Sequence, residues 1–376
     1  MSWWWERAVG EVSKRRGDRA AASHRSFQVQ SVALVVGSTG VVGASLVDIL
    51  PQPDTPGGPW KVYALSPRPP PPWYPSRSPS SVTHVHVDLT DSPAVAEAHA
   101  PLTDITHVFY VAWSSRPTDA QNREANAAML RNVLSAVVPT CPALAHVCLQ
   151  TGTKHYVGSF EAIGRVPLPE PPYTEDMPRL DCPDFYYDQE DILVDAVSRR
   201  GGVSWSVHRP RLILGFAPRS AMNVVCSLCV YAAICRSEDV RAVVRWPGTR
   251  GAWEGFDNAS DADLVSEQQI WAAVDPMAKN EAFNCSNGTA GMEDVRAVIA
   301  KENELVETQL NEVASWWLVE AQFCQFGANR AFLDSINKSK EHGFLGFRNT
   351  VKSFNTWIDE MKLHKIVPRC LFMMFI

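Results

Sequence analysis

The 376-residue sequence lacks the features of several protein classes. No apolar run reaches the roughly 20 residues that a membrane-spanning helix needs. Positive charge is not in excess: the net charge is −6 and the pI is about 5.9, which argues against nucleic acid or an anionic membrane as a partner. The first residues lead into no signal-peptide core, and acids among residues 6–26 argue against an organelle-transit segment. A cytoplasmic protein is therefore expected.

The nine cysteines form no spacing framework, which is typical of proteins from a reducing compartment. Cys226 and Cys229 do form a CxxC motif, but it lies inside the apolar run 222–234, and no second pair accompanies it. We therefore predict that both thiols pack in a buried helix, and we expect no metal site. The apolar segment 370–376 matches no lipidation signal.

What the sequence does contain is a glycine-rich turn between a predicted strand and a predicted helix. Gly37, Gly40 and Gly43 stand three residues apart, directly after the apolar run 32–36. In a dinucleotide-binding turn, the first glycine permits the tight turn, the second lets the backbone approach the ligand, and the third lets helix and strand pack closely. The helix N-terminus then faces a pyrophosphate. An ordinary strand–turn–helix is the alternative, but the position at the start of a long α/β pattern favours a dinucleotide site.

Strand and helix patterns alternate over the first two hundred residues, which predicts an α/β fold with a Rossmann-type, doubly wound parallel sheet. The predicted strands cover residues 32–36, 61–65, 82–89, 107–113, 146–150 and 204–208. Predicted helices run from the glycine turn through Leu50 and over 92–99, 118–138 and 184–199. Asn126, in the third of these helices, is expected to be a surface or packing amide. Beyond Arg211 helix patterns dominate, at 222–235, 261–275, 292–317, 331–337 and 351–363.

These patterns suggest a domain organisation. We expect a flexible tail over 1–28 and a dinucleotide-binding Rossmann domain over 29–215. A smaller helix-rich portion over 216–368 is expected to cover the substrate at the carboxyl ends of the strands, and a short tail follows over 369–376. The proline-rich loop 67–80 is expected to be extended polyproline or disordered.

The second predicted strand lacks the acid that usually binds the ribose 2′-hydroxyl of NAD. The residues after this strand include Ser66 and Arg68, which would bind the 2′-phosphate of NADP, whereas a carboxylate would repel it. Arg68 as a solvated loop cation is the alternative. NADP(H) is the favoured cofactor, with Asp88 and Leu89 flanking its adenine.

A lysine that ordinary short-chain dehydrogenases require is also absent. Those enzymes place it four residues after the catalytic tyrosine, but here Tyr186 and Tyr187 are followed at that distance by Glu190 and Asp191. A lysine instead follows the fifth predicted strand, Lys154 in TGTKHY. A lysine from a strand end and a tyrosine from a helix start would converge at the nicotinamide. Taken alone, the lysine could equally be a surface cation and the tyrosine a packing residue.

Longer motifs carry a resemblance to a known family. The segments TGTKHYVGSFEAIG, PPYTEDMPRLDCPDFYYDQEDIL, WSVHRPRLILGFAPRSAMN, DTPGGPWKVYAL and FLDSINKSKEHGFLGFRN resemble the plant progesterone 5β-reductase/iridoid synthase family. Its members are atypical short-chain dehydrogenases that reduce enones with NADPH. The similarity covers residues 28–288 and 316–368. It implies NADPH-dependent 1,4-reduction of an α,β-unsaturated carbonyl, with a small-molecule enone as partner, and it leaves a homodimer open.

The resemblance also implies the residues of the site. The catalytic pair is Lys154 and Tyr186, and the tyrosine hydroxyl, acidified by nearby cationic charge, donates a hydrogen bond to the oxygen of the developing enolate. Trp113 and Phe160 lie near the substrate. The glycine turn and the resemblance together place the cofactor against Gly37, Thr39, Gly40, Val41, Gly43, Arg68, Asp88, Leu89, Ala112, Gln150, Ile213, Ser220, Ala221 and Met222.

The sequence departs from the family at three places. Pro67 stands where the family commonly has the first of two arginines, and the family's GPF reads GSF at residues 158–160. Between Gly288 and Trp316 an element at least as long as a helix and its loop is absent from the substrate-covering portion.

Two alternatives to an enone reductase remain. One is a nucleotide-binding pseudoenzyme or inactive isoform. The other is an epimerase or alcohol dehydrogenase, which the broken tyrosine–lysine spacing disfavours.

Overall fold

The computed structural model describes residues 31–69, 81–162, 165–220, 222–238, 256–287, 290–291 and 333–367. Its strands are β1 Ser31–Val36, β2 Trp60–Ser66, β3 Val82–His86, β4 His107–Tyr110, β5 His146–Gln150, β6 Ser204–Pro210, β7 Leu212–Leu214, β8 Phe256–Asp257, β9 Ala259–Asp261, β10 Glu281–Cys285 and β11 Ala290–Gly291. Seven of them form one sheet in the order β10-β6-β5-β4-β1-β2-β3, and every neighbouring pair is parallel. This order confirms the predicted doubly wound fold.

Helices cover both faces of the sheet. They are α1 Val41–Ile49, α2 Ser92–His99, α3 Asp119–Thr140, α4 Lys154–Val157, α5 Phe185–Ser198, α6 Val224–Glu238, α7 Ala262–Val274, α8 Asn337–Glu341 and α9 Thr350–Leu363. One-turn 3-10 helices lie at Phe160–Ala162 and Pro276–Ala278. Within the described ranges, no helix has both the length and the apolar character that crossing a membrane would require.

Successive residues of β1 enter two different cores, because side chains alternate between the faces of a strand. Leu34 and Val36 pack in the core under α2, α3 and α5. Ala33 and Val35 pack in the core under α1 and α7, which includes the fully buried Trp271. Since both faces are covered, the central strands are almost uninterrupted apolar runs, and this is what made them predictable.

The C-terminal part of the described chain forms a third, smaller core. Helices α6 and α9 pack there against β7, and Cys226 and Cys229 lie buried among them, as predicted for this CxxC. Asp261 links this part to the sheet: its Oδ1 caps α7 through Leu264 N, at 3.2 Å, and its Oδ2 accepts from Trp357 Nε1 in α9, at 3.0 Å. A buried carboxylate therefore fastens α9 beside the carboxyl end of the sheet.

Some predicted elements differ from the structure. Strand β10 was not predicted, and residues 333–336, predicted as helical, are not helical: Asp334 forms an isolated β-bridge with Tyr173. Tyr173 N donates to Leu333 O at 2.7 Å, and Asn258 Nδ2 donates to the buried carboxylate of Asp334 at 2.6 Å. These long-range bonds override a local helical pattern, so the helix begins only at Asn337. The predicted helix 292–317 and the predicted loop over 70–80 lie outside the described residues.

Candidate active site

A cleft of about 750 Å³ lies at the carboxyl ends of the strands, where the chain order reverses between β1 and β4. Ligands of doubly wound sheets bind at this switch point. The predicted site residues that line this cleft are Gly37, Thr39, Gly40, Val41, Arg68, Asp88, Leu89, Ala112, Trp113, Gln150, Lys154, Tyr186, Ile213, Ser220 and Met222.

The remaining predicted residues are placed differently. Gly43 lies in the first turn of α1, behind the cleft rather than on its wall. Phe160 begins the short 3-10 helix, and its side chain lies outside the described part of the structure. Ala221 also lies outside the described residues.

The glycine turn is packed too tightly for any other residue at two of its positions. Gly37 has φ +94°, and a Cβ there would lie 2.8 Å from the backbone of Ala112. A Cβ on Gly43 would lie 2.1 Å from the carbonyl oxygen of Gly37. Gly40 gives α1 no side-chain cap, so the first N–H groups of this helix are available to an anion in the cleft. The turn therefore fits a pyrophosphate.

The end of β2 carries the groups expected to face the adenosine ribose. Arg68 is exposed at the mouth of the cleft, where no carboxylate follows the strand. The hydroxyl of Ser66 donates to the main-chain carbonyl of Arg68, so in this structure Ser66 holds the loop that carries the arginine. Asp88 accepts from Thr90 N at 2.9 Å and from its hydroxyl at 2.8 Å, which fixes the turn after β3. These groups fit the adenosine end of a dinucleotide.

Asn126 has a role that was not predicted from the sequence. Its side chain is fully buried in α3, its Oδ1 accepts from Ser114 N at 2.9 Å, and its Nδ2 donates to Ser114 O at 2.9 Å and to Asn122 O at 2.8 Å. The amide thus clamps the loop after β4, which forms one wall of the cleft. A signal was present, because Asn126 lies on the buried face of α3 beside Ala127 and Leu130.

Lys154 and Tyr186 line the same cleft, although 32 residues of chain separate them. Lys154 begins the single turn of α4 after β5, and its Nζ lies 6.0 Å from the centroid of the Phe185 ring. Tyr186 is in the first turn of α5. A Cβ on Gly152 would lie only 2.9 Å from the Tyr186 hydroxyl, so Gly152 lets this hydroxyl approach the backbone that carries the lysine.

The electrostatics of Tyr186 differ from the expectation. Burial, together with the negative charge of Asp184, raises the pKa of Tyr186 above its ordinary value of 10.0. The expected acidification by cationic charge is therefore not found. Burial also lowers the pKa of Lys154 from 10.5, while Asp184 opposes that shift. The physical reason in both cases is desolvation, which disfavours whichever form is charged.

Asp184 is a second residue whose role was not predicted from the sequence. It is 1 % exposed, and its Oδ1 caps α5 by accepting from Tyr186 N at 2.8 Å. Its Oδ2 has no hydrogen-bond partner among the described residues. Burial raises its pKa to about 7, although the Tyr186 N–H and Lys154 both act to lower it. An aspartate directly before a helical pattern is an N-cap signal that could have drawn attention to it.

Three comparisons with known proteins agree with this geometry. A family model for the PRISE-like Rossmann-fold domain matches residues 33–300. The chain belongs to the PRISE-like Rossmann-fold family. It is 48 % identical over 402 aligned positions to (S)-8-oxocitronellyl enol synthase of Nepeta cataria, and 47 % identical over 402 positions to 3-oxo-Δ(4,5)-steroid 5-beta-reductase of Arabidopsis thaliana. Each alignment covers 98 % of this chain and all of the relative.

The fold of this PRISE-like chain is shared by more distant solved structures. UDP-glucose 4-epimerase from Bifidobacterium longum, in complex with NAD⁺ and UDP, superposes with a TM-score of 0.65 at 13 % identity. The match covers 89 % of this chain and 98 % of the epimerase. The shared architecture is the Rossmann-type fold of the family model. Among the described residues, no group of three or more His, Cys, Asp or Glu side chains is arranged to hold a metal ion.

The raised pKa of Asp184 leads to a prediction about the stability of the folded protein. Because its pKa of about 7 lies above the ordinary 3.8, the folded protein holds a proton between about pH 4 and pH 7 that the unfolded chain has released. The free energy of unfolding therefore falls as the pH rises from about 4 to about 7, because the folded state must give up this proton. Asp184→Asn keeps an N-cap but carries no charge. We expect its melting temperature to exceed that of the wild type by at least about 1 °C at pH 8, with a smaller difference at pH 5, where only part of the window has been crossed.

Calorimetry at both pH values measures this difference. Asp188→Asn is the matched control, since Asp188 lies one turn further along α5, half-exposed, in an ion pair with Arg123. Equal melting temperatures of Asp184→Asn and wild type at pH 8 would show that Asp184 carries no buried charge there.

Proposed function

We propose that this protein is an NADPH-dependent enone reductase, which adds hydride to the β-carbon of an α,β-unsaturated carbonyl. The observation that carries the proposal is the placement of Lys154 and Tyr186 in the cleft that begins at the glycine turn. The chain is an oxidoreductase, in line with the names of its relatives, an enol synthase and a steroid 5-beta-reductase. Both names fit a substrate whose carbonyl oxygen gains negative charge.

In the proposed reaction the protein stabilises charge rather than forming a covalent bond. NADPH, held by the glycine turn and Arg68, would supply the hydride for the β-carbon, and negative charge would then develop at the carbonyl oxygen of the substrate. Tyr186 donates a hydrogen bond to that oxygen. Its raised pKa suits this task, because the hydroxyl stays protonated at neutral pH and remains a donor. One such donor is worth about 3 kcal/mol in a site shielded from water.

Lys154 and the neighbouring residues complete the proposed site. The ammonium group of Lys154 adds positive potential where the enolate forms, and burial strengthens its effect. Gly152 leaves room for the Tyr186 hydroxyl, and the Asn126 clamp fixes the wall formed by Ser114. The α-carbon takes its proton from water, so the reaction requires no further acid.

A nucleotide-binding pseudoenzyme is the second candidate. The alignments to the relatives run over 402 positions, more than the 376 residues of this chain, so each relative has segments without a counterpart here. The motifs on either side place the missing element between Gly288 and Trp316, in the portion expected to cover the substrate. A protein without that cover would bind NADPH and reduce nothing.

Turnover separates these candidates. We expect the wild type to oxidise NADPH in the presence of progesterone, 2-cyclohexen-1-one or 8-oxogeranial. Tyr186→Phe should lower kcat by about 100-fold and leave the Kd of NADPH unchanged, because the hydroxyl acts on charge that develops in the transition state. Tyr63→Phe is the control, since the Tyr63 hydroxyl donates to Asp104 and Tyr63 does not line the cleft. NADPH binding without oxidation, with all three enones, would favour the pseudoenzyme.

Arg68 tests the choice of cofactor. We expect Arg68→Ala to raise the Kd of NADPH by about tenfold or more and to leave the Kd of NADH within about twofold, because only the former carries the 2′-phosphate. Quenching of NADPH and NADH fluorescence by titrated protein measures both constants. Arg199→Ala is the control, since Arg199 is exposed directly after α5, where it pairs with Asp195. An unchanged ratio of the two constants would contradict the 2′-phosphate assignment.

A further inference from the structure

Glu190 occupies the position at which ordinary short-chain dehydrogenases carry their catalytic lysine. It lies four residues after Tyr186, one turn along α5, so both side chains project from the same side of the helix. Glu190 is 8 % exposed, and it does not line the cleft. A buried carboxylate at this position requires a structural partner, because an unpaired buried charge is strongly unfavourable.

The partners of Glu190 come from the segment that carries the lysine, from β6 and from the stretch before α5. Its Oε1 lies 3.1 Å from Arg209 Nη2 in β6 and 3.3 Å from Nδ1 of His155, the residue after Lys154. Its Oε2 accepts from Arg179 Nη2 at 3.2 Å. Burial alone would raise the pKa of Glu190, but His155 and the two arginines outweigh it and lower the pKa to about 2. The carboxylate is therefore ionised at any physiological pH.

Two further contacts tie the same segment to its surroundings. Tyr187, the residue after Tyr186, donates its hydroxyl to His155 O at 2.6 Å, and its ring packs edge-on against the His155 ring. The Tyr156 hydroxyl accepts from Arg209 Nη1 at 3.0 Å and donates to Asn284 Oδ1 at 2.7 Å. Both residues that follow Lys154 are thus bound, directly or through Arg209, to α5 and to the strands beside it.

We propose that Glu190 is a positioning residue, whose contacts with His155 and Arg209 hold the one-turn helix of Lys154 in register with Tyr186. The proposal rests on the proposed function, in which these two side chains act together on the carbonyl oxygen. In ordinary short-chain dehydrogenases the residue four positions after the tyrosine is the catalytic lysine. Here that residue is Glu190, whose carboxylate anchors a lysine from another segment of the chain. Glu190 itself touches neither cofactor nor substrate.

A double-mutant cycle tests whether Glu190 acts through Lys154. Glu190→Gln keeps the shape and removes the charge. We expect it to lower kcat by about 10- to 100-fold in the wild-type background, because small misplacements of a catalytic group have effects of that size. In the Lys154→Ala background it should change kcat by less than about twofold, and the Kd of NADPH should stay constant throughout. Equal losses of kcat in both backgrounds, or no loss in either, would overturn the proposal.

Hydrogen exchange of the ligand-free protein provides a readout that does not depend on turnover. The amides of α4 and of Gly158, whose N–H donates to Lys154 O at 2.7 Å, should exchange faster in Glu190→Gln, while those of β1 keep their rates. Asp191→Asn is the matched control, since Asp191 is exposed and pairs with the same Arg179. Unchanged exchange over 154–158 would overturn the proposal even if the enzyme is inactive, whereas an inactive wild type with faster exchange in the variant would contradict only the proposed function.

A milder variant keeps the test decisive if Glu190→Gln does not accumulate as folded protein. His155→Phe removes the Nδ1 contact but keeps the ring packing and the Glu190–Arg209 ion pair. It should show the same dependence on Lys154 and faster exchange over 154–158. Additive effects of His155→Phe and Lys154→Ala on kcat, with unchanged exchange, would overturn the proposal.

Discussion

Close contact between backbones at the switch point of the sheet is the constraint on which the site depends. The turn after β1 lies against the strand end of β4, with no room for a side chain at Gly37, and α1 starts so close to this turn that Gly43 has no room either. This packing aims the uncapped end of α1 into the cleft. The other walls are then formed by the segments after β2, β3, β4, β5 and β6, which reach the same edge of the sheet.

Desolvation dominates the chemistry of the site. Burial disfavours charged forms. It therefore raises the pKa of Tyr186, lowers the pKa of Lys154 and raises the pKa of Asp184 to about 7. A tyrosine in this state is suited to donating a hydrogen bond and unsuited to acting as a phenolate base. The acidification of Tyr186 that the family resemblance implied is absent because burial and the charge of Asp184 both raise its pKa.

The sheet could be predicted from the sequence because each central strand is buried on both faces and is therefore a short apolar run between turn signals. Strand β10 escaped prediction because it includes Glu281 and Asn284, whose side chains bond to Lys338, Tyr173 and Tyr156. Gly37, Gly40 and most of the residues carried by motifs line one cleft. The contacts of Asn126 with Ser114 and of Glu190 with Arg209 depend on partners brought together only by the tertiary fold, whereas the N-cap role of Asp184 has a local sequence signal.

The carbon atom that accepts the hydride distinguishes the proposed enone reduction from other reactions of the same substrate. The protein is incubated with NADPH that carries deuterium at both C4 positions and with 2-cyclohexen-1-one, and the product is analysed by mass spectrometry and NMR. We expect cyclohexanone with deuterium at the former β-carbon and a solvent-derived proton at the α-carbon. Deuterium at the carbonyl carbon of an allylic alcohol, or no transfer of the label, would contradict it.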